Sequence, residues 1–137
     1  MLTEQRTAGE GAARRAGHLA AVIANLLLLW AANNLLAWQL PFITDAFIAA
    51  LPVVNISFLA SIAGHAILVF YAPRAARHLL GAAMNAASFA STYTLLVIFP
   101  FTFGAWDQMA RIVLVLALVA TAIAIVVDLA RLVFGRE

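Results

Sequence analysis

The sequence is constrained most by where its charges are missing. No Asp, Glu, Lys or Arg lies between Arg15 and Asp45, a run of 29 residues. The same holds for 28 residues between Asp45 and Arg74 and for 29 between Arg77 and Asp107. A fourth run spans Ile112 to Val127, and the next basic residue is Arg131. A helix needs roughly 20 apolar residues to cross a ~30 Å hydrocarbon layer. Each of the first three runs is therefore one crossing plus a turn, and the fourth reaches that length by continuing through Asp128. Lipid offers the backbone no hydrogen bonds, so the crossings must be helices. They are too long and too continuously apolar for barrel strands. The expected fold is all-α: a four-span transmembrane helical bundle, up-down-up-down, with spans near 17–39, 46–71, 78–99 and 110–132. Residues 1–15 are polar, carry Gly9 and Gly11 and show no apolar stripe. They read as a cytoplasmic tail, mobile or lying on the surface. Residues 16–134 form the membrane domain and 135–137 a short cytoplasmic end.

Composition removes the alternatives. Of the 137 residues, 66% are hydrophobic and 10% are charged, against about 25% charged in a soluble domain. Fourteen charged side chains cannot cover the surface of a soluble fold. A soluble enzyme, a disordered chain and a nucleic-acid binder are excluded, and the lipid bilayer is the expected partner. The absence of cysteine removes disulfides, thiolate metal sites and cysteine nucleophiles. A net charge of +2 is too small to imply a polyanionic ligand. All eight basic residues are Arg, which together with heavy Ala use fits a GC-rich bacterial genome.

The arginines set the expected orientation. Arg6, Arg14 and Arg15, Arg74 and Arg77, and Arg131 and Arg136 fall on one side of a four-span plan. Only Arg111, with Asp45 and Asp107, falls on the other. The positive-inside rule places both termini in the cytoplasm, here of a bacterial inner (plasma) membrane. Trp30, Trp38, Tyr93 and Trp106 would form the outer aromatic belt. The apolar run after Arg15 exceeds the 7–15 residues of a signal-peptide core, so the first span is expected to be retained.

Two turns look alike. Pro41-Phe42 and Pro100-Phe101 lie 59 residues apart, each at the outer end of a span. This raises the alternative of two related helical hairpins about an axis along the membrane normal, against coincidence of turn chemistry.

Polar and small residues recur at steps of three and four, which puts them on one helix side. They are His18, Ala21, Asn25 and Ala32 on span one, and Ser57, Ser61, Gly64 and His65 on span two. Span three carries His78, Gly81, Asn85, Ser88 and Thr92, and span four Ala117, Thr121, Ala124, Asp128 and Arg131. These stripes should face one another, because membrane helices pack through small residues and interhelical hydrogen bonds. Asn25, Asn55 and Asn85 read first as packing fasteners. Pro52 should free the carbonyl of Ile48, with Asn55 placed to satisfy the loosened backbone.

His18 and His78 each follow an Arg closely and read as interfacial residues. Asp128 and Arg131 read as an interfacial i,i+3 ion pair. His65 lies nine residues before Arg74 and reads as the deepest ionisable group, a functional candidate by that position. No carboxylate pair and no metal-ligand spacing is present, so no enzyme, metal or cofactor is expected. The first functional reading is a helix-packing, accessory or self-associating membrane subunit, in a homo-oligomer or a larger membrane complex. The alternative is a small oligomeric ion or solute transporter. Its candidate pathway is His65, Ser57, Ser61, Asn85, Ser88 and Thr92, with Asn25 and Asp128 as further interior polar groups. A haem- or quinone-binding protein is a second alternative, weighed down because His65 lies at a different expected depth from His18 and His78.

Overall fold

The structure, a computed structural model, describes residues 1–135. Four long helices dominate it: α1 (Leu2–Asn34), α2 (Phe47–Phe70), α3 (Arg74–Ile98) and α4 (Asp107–Phe134), with one 3₁₀ turn, Gly104–Trp106, before α4. All four are long and apolar enough to cross a membrane. The expectation of four apolar helices therefore holds, with three boundary corrections.

The first correction concerns the N-terminus. Residues 2–15 are not an irregular tail but the opening turns of α1, whose 33 residues span about 50 Å at 1.5 Å each. An apolar stripe is not needed there. Once the following segment is helical, each added residue gains a backbone bond without a new nucleation cost. Ala8, Ala12, Ala13 and Ala16 favour helix, and Arg6 pairs with Glu10 at 3.4 Å. At its other end α1 stops at Asn34, and residues 35–39 form turns. The second correction is that α3 starts at Arg74, directly after Pro73. Proline forces its predecessor toward extended backbone, so α2 and α3 are joined by only Tyr71, Ala72 and Pro73. The third is that α4 runs from Asp107 to Phe134. Arg136 lies outside the described residues.

The helices do not close into a bundle. α1 packs on α2, α2 on α3, and α3 on α4, while no backbone approach within 8 Å joins α1 to α4, α1 to α3 or α2 to α4 among the described residues. The molecule is an open row. Every buried helical residue lies on the two inner helices, and neither α1 nor α4 buries any. The inner seam uses one face of α2: Phe47, Ala50, Val54, Ser57, Gly64 and Leu68, at helical steps of three and four. Gly64 carries the closest approach there. A Cβ built on it would lie 2.5 Å from Met84 Sδ, so only glycine lets α3 sit this near. α2 passes through Pro52 without interruption.

The two Pro-Phe turns meet each other. Thr44 N–H donates to Pro100 O and Thr102 N–H to Phe42 O, both at 2.9 Å, forming an isolated antiparallel bridge between Ile43 and Phe101. Phe42, Phe103 and Phe101 stack beside it at 5.7 and 5.4 Å. Phe99, in left-handed backbone at φ 43°, lies under the Arg111 guanidinium at 3.9 Å. The pairing of the turns is two-fold in register, but the helices are not. A two-fold along the normal would turn the α2–α3 contact into an α4–α1 contact, and that contact is absent.

Candidate functional site

The ionisable side chains within the helices collect at the end of the row that holds the α2–α3 turn. His65 lies five residues before the end of α2, His78 four after the start of α3, and Asp128 six before the end of α4. At 1.5 Å per residue these are depths of about 6 to 9 Å. His18 joins the same layer because its Nδ1 is 2.9 Å from His65 Nδ1. The expected depths are thereby corrected. His65 is not the deepest group, and His18 is level with it. Arg15 and Arg74 looked like equivalent edge markers, but α1 continues helical past Arg15 while α2 stops at Phe70.

The layer consists of two unlike pairs. On the α1–α2 side, the ring centroids of His18 and His65 are 5.2 Å apart with planes tilted by 39°. That separation is about the 2.9 Å nitrogen contact plus the two ring radii, so the nitrogens point at each other nearly head-on. One ring must donate Nδ1–H and the other accept it. Two nitrogens binding one metal would instead converge on a shared point with the rings angled toward it. Among the described residues no group of three or more His, Asp or Glu could hold a metal ion.

On the α3–α4 side, His78 Nδ1 lies 3.0 Å from Asp128 Oδ1, with His78 buried at 8% exposure. His78 is thus a buried interhelical residue, not an interfacial one. The expected Asp128–Arg131 ion pair is also corrected. The Asp128 carboxylate turns to His78 and rests against Gly81, where an added Cβ would meet Oδ2 at 2.8 Å. The Arg131 side chain is exposed, while its carbonyl accepts from Arg74 Nη2. A carboxylate reaching across two helices needs a residue with no side chain at that level, and Gly81 supplies it.

The remaining candidates divide among three interfaces. Ser57 and Ser61 share the α2 face of Gly64, toward α3. His65 lies on a second α2 face with Asn55, toward α1. Asn85, Ser88 and Thr92 step along α3 from His78 and Gly81, on the face toward α4. The structure therefore does not bring the stripes of spans two and three together. Asn25 bonds back to the carbonyl of Ala21 at 2.8 Å, so it fastens its own helix and not a neighbour. No hydrogen bond reaches Asn85 among the described residues. Asn55 does not serve the Pro52 backbone. It exchanges two amide hydrogen bonds with Asn33, 2.7 and 3.1 Å.

Asn33 and His18 are the functional candidates that sequence reasoning passed over. The signal existed, since steps of four, three, four and four from His18 arrive at Asn33, but the stripe had been followed to Ala32 instead. Comparison with family models, curated proteins and solved structures gives no match for this chain. Its function is argued from geometry.

Proposed function

We propose that the chain is a multi-pass membrane subunit without catalytic activity, which associates side by side with its own copy or with another membrane protein. The observation that carries this reading is the open row. α1 and α4 each touch one neighbour only and bury no residue. Helix association in lipid gains from packing and interhelical hydrogen bonds, and two flanks of this molecule remain available for it. The seven-to-one division of arginines supports four crossings with both termini in the cytoplasm of a bacterial inner membrane. In that orientation the His18–His65 and His78–Asp128 layer lies on the cytoplasmic side.

The test is the mass of the native assembly extracted in mild detergent, compared with the 14.6 kDa chain. A discrete homo-oligomer, or a stoichiometric complex with an identified membrane protein, is the expected result. Crosslinks from cysteines introduced at exposed positions such as Leu116 on α4 and Leu27 on α1 should then map to the contact. A free monomer that co-purifies with no protein from the native membrane overturns the reading.

A further inference from the structure

The His18–His65 pair has a property that the other polar contacts of this molecule lack. Its two facing atoms are chemically identical, and each is able to hold the proton between them. In the neutral pair one ring carries Nδ1–H and has a bare Nε2, while the other has a bare Nδ1 and carries Nε2–H. A proton arriving at the bare Nε2 turns the donor ring into an imidazolium. The Nδ1–H···Nδ1 contact then becomes a charge-assisted hydrogen bond, of the stronger kind. A second proton has only the accepting Nδ1 to bind. It removes the acceptor and sets two positive charges at hydrogen-bond distance.

The surroundings do not offset that repulsion. α2 carries no other ionisable residue, and α1 contributes Arg14 and Arg15 one turn from His18. The nearest carboxylate on α1 is Glu10, which pairs with Arg6. From α3, packed on the other side of α2, come Arg74, Arg77 and His78. The carboxylate of this layer, Asp128, is engaged by His78 on α4, a helix that contacts neither α1 nor α2.

We infer that His18 and His65 form a binding site for a single proton, shared along the Nδ1–Nδ1 line, and that a second proton parts α1 from α2 at this end. The consequence is local. α1 has no neighbour but α2, and the Asn33–Asn55 amide pair at the far end does not titrate. Acid therefore opens one end of one interface, with the far end as the pivot. The inference is independent of whether a partner closes the row.

Two measurements on the full-length protein in phosphatidylcholine–phosphatidylglycerol liposomes test it. The first is nitrogen-15 solid-state magnetic resonance of the histidine rings at about pH 7.5, assigned with His18→Asn and His65→Asn. It should show one Nδ1 protonated and its partner Nδ1 bare, coupled through the hydrogen bond. Both Nδ1 atoms bare, or both protonated, overturns the shared-proton site. The second uses the absence of native cysteine, so that two introduced ones carry spin labels without background. Labels at Ala16→Cys and Tyr71→Cys report α1 against α2, and labels at Ala75→Cys and Val133→Cys report α3 against α4. At about pH 4.5, some two units below the ordinary histidine value of ~6.5, the first distance should lengthen by several ångströms while the second holds. The doubly substituted His18→Asn, His65→Asn protein should show no such lengthening. An unchanged first distance, or the same change in the Asn pair, overturns the parting of the helices. The resonance measurement is made on the native side chains and stands whether or not the Asn pair folds.

Discussion

The two outer interfaces of this row, α1–α2 and α3–α4, solve one problem with opposite chemistry. Each must hold an outer helix that has a single neighbour. α1 is held by two symmetric exchanges, an amide pair at one end and an imidazole pair at the other. α4 is held by an asymmetric contact, a histidine facing a carboxylate that lies over a glycine. The protons therefore act in opposite senses. Protonating His78 leaves Asp128 facing a cation, and the contact strengthens until the carboxylate itself is neutralised. Fully protonating the His18–His65 pair destroys it. An acidic cytoplasmic face loosens α1 and retains α4.

Removing the carboxylate should break the comparison most. Asp128→Ala leaves a buried imidazole without its charged acceptor, a loss of about 1.5–3 kcal/mol for a hydrogen bond to a charged group. Asp128→Asn, which keeps an acceptor oxygen, should recover part of it. Reversible unfolding from mild detergent into dodecyl sulfate measures both, and a wild-type midpoint for Asp128→Ala would show that the contact holds nothing together. Next in size is Gly81→Leu. The side chain would occupy the space of the Asp128 carboxylate, and overpacking of this kind costs about 1–3 kcal/mol. The same unfolding assay, with crosslinking between α3 and α4, should show α4 displaced while α1–α2 crosslinks persist. The smallest effect belongs to the amide pair. Asn33→Ala should lower stability by only about 0.6 kcal/mol, the average for an interhelical hydrogen bond in a membrane protein. A loss as large as that of Asp128→Ala would mean that the two interfaces are not held by different means.

Much of the α3–α4 interface was legible before any coordinates. His78, Gly81, Asn85, Ser88 and Thr92 on one helix, and Ala117, Thr121, Ala124 and Asp128 on the other, form stripes, and His78, Gly81 and Asp128 do meet. The mispairing of Asp128 with Arg131 came from preferring a contact within one helix to a contact across two. Sequence spacing shows the first kind and conceals the second. At the α1–α2 interface the error was one of level. Charges were used as depth markers, which works only where a helix stops near its charged end, and α1 does not stop there. The Pro-Phe turns show a third case. Their likeness was visible, but that they pair with each other depends on how two distant turns are brought together.

The sequence by itself determined four apolar helices and the residues on each striped face. Both follow from local quantities, the length of uncharged chain and the 3.6-residue period. Only the tertiary structure decided that the helices stand in an open row, that His18 reaches His65 and that His78 takes Asp128. Those outcomes depend on which face of each helix meets which neighbour and at what level. Stripes on four helices permit several such pairings, and close approaches at positions such as Gly64 and Gly81 select among them.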